Sequence, residues 1–148
     1  MKRIGFYSRD YTYGWLSNFH RCLQFVDGES YMTNEHYYQS MKASSKEFHD
    51  WIKHAPNPYH AMKAGRTLRA NKGELKKNWD YLKIHVMLIG LKAKFQNSEL
   101  KQKLIDTGDA YLFEDSPSDM FWGEVHGKGE NHLGLLIMRI RDEFLTSK

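Results

Sequence analysis

Trp79-Asp80-Tyr81-Leu82-Lys83-Ile84-His85-Val86-Met87-Leu88-Ile89-Gly90-Leu91-Lys92-Ala93-Lys94-Phe95 is the stretch on which the fold turns. Trp79, Leu82, Val86, Ile89 and Ala93 fall on one stripe at helical spacing, and Ile84, Leu88, Leu91 and Phe95 on a second. A helix apolar on two sides belongs in the middle of a protein, with other elements covering both faces. No apolar run in the chain is longer than Val86 to Ile89, far short of the roughly 20 residues a membrane helix needs.

The elements around this helix follow from caps and turns. Upstream, Asn57-Pro58 supplies a cap and a first-turn proline for a short helix ending near Gly65. Ser44-Ser45-Lys46-Glu47 reads as a capping box opening a helix whose Phe48, Trp51, Ile52 and Ala55 face inward, with Pro56 as its stop. Thr33 or Asn34 caps a helix running to about Ala43, and Glu35 sits favourably in its first turn. Leu23 to Val26 and Glu29 to Met32 form a hairpin, because Asp27-Gly28 suits a type I′ turn. Ile4 to Tyr7 is a short strand, and residues 14–19 form an ordered loop. Downstream, Ser98 caps a helix that Gly108 ends, Tyr111 to Glu114 is a strand, and Gly123 to Asn131 is a loop. Asn131 then caps a final helix with Leu133, Leu136, Ile137, Ile140 and Phe144 inward. The expectation is a mainly α protein with a small β part (α+β), one domain over residues 1–148.

Composition bounds the function. A chain of 148 residues, 41% hydrophobic and 27% charged, is about one globular domain and is not disordered. The single cysteine, Cys22, excludes a disulfide framework and a multi-cysteine zinc site, and its place in a strand suits a buried thiol. Lys2-Arg3 has no apolar stretch behind it, so no secretory signal is expected and the cytoplasm is the expected compartment, with no membrane partner. Between Lys63 and Lys83 seven bases face only Glu74 and Asp80, a net of +5, whereas the whole chain carries +4. Such a segment suits a phosphate-bearing partner, and equally a solvated linker.

Functional groups concentrate in two places. On a helix, Glu35, Tyr38, Gln39 and Lys42 share one face, and a carboxylate with an amine beside an aromatic ring can perform acid/base or Schiff-base chemistry. An exposed face with ordinary charges fits the same spacing. The histidines show no metal-ligand pattern, so neither a metal nor a cofactor is expected. The second place is Ser116 to Asn131, where Asp119 and Trp122 precede a glycine-rich loop leading into a helix N-terminus. An acid can hold a ribose diol, an indole can stack on a base, and free backbone N–H groups attract phosphate.

With these residues in place, the chain resembles the NADAR family of YbiA-like N-glycosidases over nearly its whole length. The resemblance is carried by Phe6-Tyr7 with Leu16-Ser17-Asn18-Phe19; by Asp27-Gly28 running into Thr33 to Gln39 and Lys42; and by Gly65-Arg66. Trp79, Val86-Met87 and Lys94-Phe95 continue it, followed by Ser116-Pro117 through Asp119, Trp122-Gly123, Gly127-Lys128-Gly129, Asn131, Leu133-Gly134 and Met138 to Arg141. It implies a YbiA-like fold and a metal-independent hydrolase cleaving the bond between ribose and an exocyclic amino group. The implied substrate is a phosphoribosylamino-pyrimidine intermediate of riboflavin biosynthesis, releasing ribose 5-phosphate. The alternatives are ADP-ribose on guanine in nucleic acid, or a non-catalytic ADP-ribose or nucleotide-binding module. Glu35, Trp79, Asp119 and Trp122 occupy the family's recurrent functional positions, and capture of a ring-opened sugar as an imine adds Lys42, so the expected catalytic residues are Glu35, Lys42 and Asp119. Substrate binding falls to Trp79, Trp122, Tyr38, Gln39, Asn18, Arg66, Gly123, Gly127, Lys128 and Asn131. Glu124 departs from the family pattern, where many members have glycine after Trp-Gly, and this bears on the loop's shape and on substrate choice.

Overall fold

The computed structural model describes residues 2–147. The architecture is mainly helical with a small β part, as the periodicities require: β1 (Arg3–Phe6), β2 (Gln24–Val26), β3 (Glu29–Tyr31), α1 (Asn34–Ser40), α2 (Lys46–Lys53), α3 (Pro58–Arg66), α4 (Trp79–Lys94), α5 (Ser98–Asp106), β4 (Tyr111–Glu114) and α6 (His132–Thr146). None of the helices is long and apolar enough to cross a membrane, among the described residues. The chain divides into two compact units, one of residues 21–94 and one formed by the two ends, up to residue 20 and from residue 95.

In the unit of chain ends, β1 and β4 pair in parallel, with Ile4 opposite Leu112 and Phe6 opposite Glu114. Helix α6 packs against β4 and α5, burying Leu133, Leu136, Ile137 and Ile140. Phe144 is only half-buried, with the Lys101 ammonium 4.6 Å from its ring centre. Asn97, not Ser98, caps α5: its side chain accepts from Leu100 N, which leaves Ser98 in the first turn. Asn131 precedes α6 but its side chain does not cap it. Left-handed at φ 52°, it turns inward, donates to Leu112 O at 3.0 Å and Tyr111 Oη at 3.1 Å, and accepts from Glu114 N.

In the other unit the hairpin is as expected. Asp27 and Gly28 both have positive φ (51° and 79°), the geometry of a type I′ turn, and Val26 stands opposite Glu29. Cys22 lies just before β2 and is partly exposed, so the expected buried strand thiol is corrected. Thr33 caps α1 by accepting from His36 N, and the helix ends at Ser40, short of Ala43. Ser45, one residue later than the box suggests, caps α2 by accepting from Phe48 N. Helix α2 buries only Ile52 on its stripe, which meets Ala55 and Ala61 in a small core. Trp51, expected inward, is 54% exposed, because two turns of helix offer too narrow a contact to cover it. Asn57 caps α3 as its sequence requires.

Helix α4 is buried nearly all round only in its second half, where Val86, Met87, Leu88, Gly90, Leu91 and Lys94 are covered. In its first half Tyr81, Leu82 and Ile84 face solvent, so the two-sided burial holds for one half of the helix. The buried half meets α1, and Gly90 sets their spacing. A Cβ there would come within 2.6 Å of the Tyr37 ring and run into Asn34 Oδ1. Behind the same contact, buried Gln24 donates to Asn34 Oδ1 at 2.9 Å and to Gly90 O at 3.0 Å. Gly90→Ala should therefore destabilise the protein by about 1–3 kcal/mol, the usual cost of overpacking, seen as a lower urea midpoint at unchanged slope. An unchanged midpoint would show that α1 and α4 have slack between them.

Candidate active site

Helix α1 carries the functional face the sequence offers, but every one of its residues is buried. Two of these have protein partners that define their role. His36 is wholly buried; its Nε2 donates to Ala55 O at 3.0 Å and its Nδ1 meets Thr33 Oγ1 at 2.8 Å. Burial holds its pKa below the ordinary value, against the opposing pull of the Ala55 carbonyl, so it serves as a neutral structural link. Gln39 Nε2 donates to Glu35 Oε2 at 2.7 Å, so the amide expected to bind substrate is turned onto the carboxylate.

Lys42 lies beyond the end of α1, not on it, yet it keeps company with the helix's functional face. Its ammonium sits 5.5 Å from the centre of the Tyr38 ring, and Tyr38 packs on Trp79 at 5.4 Å between ring centres. Tyr38 and Trp79 are both buried. Burial lowers the Lys42 pKa; Glu35 opposes this by attraction, while Arg66 and Lys83 add to it by repulsion. Four expected site residues, Glu35, Tyr38, Lys42 and Trp79, thus share one neighbourhood, with Arg66 acting on it electrostatically.

The basic segment is tied to this place rather than left as a linker. Ala43 bridges Leu75, Ser44 N donates to Glu74 O at 2.9 Å, and Lys76 N donates to Lys42 O at 2.8 Å. Lys76 is itself partly buried and has a lowered pKa for that reason. In the sequence Lys76 and Lys83 read only as members of a charge run. Lys83 was findable, because it stands four residues after Trp79 and so on the same helical face. Lys76 was not, since only the bridge to residues 43 and 44 brings it to Lys42.

The other expected site residues belong to the unit of chain ends. Asn18 is buried there. Asp119 Oδ1 accepts from Phe121 N at 3.0 Å and Trp122 N at 2.9 Å, while Ser116 Oγ accepts from Asp119 N. This carboxylate therefore organises the turn that presents Trp122, whose ring meets Phe121 edge-on at 4.9 Å. Gly123 is required by close packing, since a Cβ would come within 2.9 Å of Glu114 Cβ. Glu124 is buried and paired with Arg3 at 2.7 Å.

At the helix N-terminus expected to offer free N–H groups, those of Asn131, His132 and Leu133 are taken by the chain itself. Glu130, Asn131, His132 and Leu133 donate their backbone N–H groups to the carbonyls of Met120, Gly123, Phe121 and Trp122. The Asn131 side chain is also engaged by β4. Gly127 and Lys128 are exposed at its tip, where Gly127 has φ 79° and Val125 and Lys128 exchange backbone hydrogen bonds.

Tertiary packing also assembles groups that the histidine spacing does not reveal. Glu29, His49 and Asp50 bring ligand atoms within 4.8 Å of one another. These groups are already engaged: Lys53 lies 3.0 Å from Glu29, Lys46 pairs with Asp50, and His49 meets Asp50 at 3.2 Å and Tyr31 Oη at 3.1 Å. A groove of about 740 Å³ opens beside α2 and α3, lined by Trp51, Ala55, Pro56, Lys63 and Ala64 among others, and involves neither Glu35 nor Lys42.

Comparison with known proteins bears on all of this. The NADAR domain family matches residues 5–145. The chain is 39% identical over 147 residues to the N-glycosidase YbiA of Escherichia coli, spanning 98% of this chain and 90% of that protein. It is 34% identical over 142 residues to a riboflavin biosynthesis protein of Vibrio vulnificus, covering 95% of this chain and 38% of that protein. The NMR structure of E. coli YbiA matches with a TM-score of 0.87 at 38% identity, covering 97% of this chain and 85% of that one.

The electrostatics of Lys42 can be measured directly. In reductively ¹³C-methylated protein its resonance should titrate below that of a free dimethylated lysine. Glu35→Gln should lower it further by removing an attracting charge, and Lys83→Met should raise it by removing a repelling one. An ordinary titration unmoved by either change would mean that Lys42 stands apart from both groups.

Proposed function

The chain belongs to the NADAR domain family, and from that premise we propose that it is an N-glycosidase acting on ribose attached to an exocyclic amino group. The reading that fits best is hydrolysis of a phosphoribosylamino-pyrimidine intermediate of riboflavin biosynthesis, releasing ribose 5-phosphate. One observation carries it. An amine with a lowered pKa, Lys42, stands in the field of a buried carboxylate, Glu35, and of two further cations, Arg66 and Lys83. Pure binding of a phosphate needs cations but gains nothing from a lysine biased toward its neutral form. The names of two relatives, an N-glycosidase and a riboflavin biosynthesis protein, support the reaction class and the substrate branch respectively.

The chemistry runs through the exocyclic nitrogen. Because that nitrogen carries a proton, the ribosyl ring can open to a C1–N imine, with the ring oxygen taking a proton. The neutral Lys42 amine adds to C1, and the pyrimidine amine leaves with a proton delivered by Glu35. The lysine imine then takes up water, C1 returns to an aldehyde that closes to ribose 5-phosphate, and Lys42 is regenerated. Tyr38 and Trp79 supply an aromatic wall beside the amine, while Arg66 and Lys83 match the phosphate charge.

Incubation with a phosphoribosylamino-pyrimidine and with ADP-ribosylated guanine in DNA, following release of sugar phosphate, tests the class and the branch. Release from the first with none from the second is expected, with rates unchanged by EDTA; the reverse preference would move the chain to the ADP-ribosyl branch. Glu35→Gln should slow turnover by about two to four powers of ten. Borohydride added during turnover should fix a sugar phosphate on Lys42. Lys42→Arg should bind substrate without turning it over, because a guanidinium stays protonated. An active Lys42→Arg enzyme with no trapped adduct would exclude the imine and leave water activated by Glu35 as the route.

A further inference from the structure

Gln39 is 4% exposed, and its two amide ends are treated unequally. Its Nε2 donates to Glu35 Oε2 at 2.7 Å, while its Oε1 is buried with no hydrogen-bond partner. Rotating the amide would not relieve this, because it would set Oε1 against a carboxylate oxygen, two acceptors facing each other. The chain tolerates an unpaired buried acceptor here, and such an acceptor calls for an explanation.

Gly65 on α3 lies against the same amide. A Cβ at Gly65 would run into Gln39 Oε1 and stand 2.8 Å from its Cδ and 3.0 Å from its Cβ. The Gln39 amide therefore fills the space that a side chain at position 65 would take, packed against the bare glycine of α3. The four-residue spacing of Glu35 and Gln39 places their side chains together on α1. Burial removes the water that would compete for the carboxylate, so this pair is held far more firmly than an exposed one.

We propose that Gln39 is the positioning residue of Glu35, and that Gly65 is the spacer that fixes Gln39 in place. The inference rests on the reading of Glu35 as the proton carrier. A carboxylate pinned by a charge-assisted hydrogen bond begins each proton transfer from one geometry, and displacement of about 1 Å at such a group can cost a hundredfold in rate. The unpaired Oε1 follows from the same arrangement, since α3 packs on that oxygen with carbon and offers it no donor.

A double-mutant cycle of Gly65→Ala, Gln39→Ala and the pair tests this. Alanine is the better helix former, so α3 itself gains from the first change. Each single variant should lower kcat about ten- to hundredfold with KM within about twofold, and the pair should do no more harm than the worse single. Additive losses, or a raised KM at unchanged kcat, would overturn the proposal, the latter by marking Gln39 as a substrate contact. A second readout needs no turnover. The side-chain amide resonance of Gln39 should move on Glu35→Gln and move again in Gly65→Ala. If wild-type protein cleaves none of the substrates while these shifts appear, the proposed function fails and the positioning stands. If the resonance ignores Glu35→Gln, the positioning fails whatever the activity.

Discussion

A helix buried on every side has to find a partner for each polar group it carries, and α1 is such a helix with an unusually polar sequence. Asn34, Glu35, His36, Gln39 and Ser40 are all buried. A buried polar group left unpaired costs about 1–3 kcal/mol, so the surroundings of α1 are largely a set of answers to it. Gln24 of β2 bonds Asn34, the Ala55 carbonyl after α2 takes His36, Ser40 returns to the Tyr37 carbonyl, and Gln39 serves Glu35. Gly90 and Gly65 let α4 and α3 come close enough to cover what remains. The unit of residues 21–94 is organised by this requirement more than by any apolar stripe.

The same burial shifts the ionisation of two lysines, one fully enclosed and one not. Lys94, at the end of α4, is wholly buried, and its pKa is pushed down to about 7. Lys42 is shifted in the same direction while remaining partly open, just past the end of α1. A lowered pKa therefore does not by itself mark a reacting amine. What separates the two lysines is access, together with the carboxylate and the cations that act on Lys42. The bridge from residues 43 and 44 to residues 74 and 75 keeps that neighbourhood together, converting a run of surface charge into part of the site's wall.

In the unit of chain ends, the loop before α6 shows how a sequence signal can be spent on structure. Glycines before a helix start look like an anion cradle, because such N–H groups are ordinarily free. Here the chain folds back, and its own carbonyls take the N–H groups of Asn131, His132 and Leu133. The Asp119 side chain works in the same way, accepting from two backbone N–H groups and so setting the pose of Trp122.

What the sequence alone determined are the features whose cause lies within a few residues. The Asp27-Gly28 turn, the caps at Thr33 and Asn57, and the helical period of α4 depend on neighbours three or four positions away, and they appear where their residues place them. Glu35, Tyr38 and Lys42 were legible as a cluster for the same reason. Small displacements, such as Asn97 capping in place of Ser98, arise because adjacent polar residues compete for one N–H group and only the final backbone angle chooses between them. The tertiary structure alone decided which faces were covered: Trp51 outward, the first half of α4 open, and Lys76 brought to Lys42. Burial, and with it the lowered pKa values of His36, Lys42 and Lys94, is a property of segments tens of residues apart meeting in space, and local spacing carries no record of that meeting.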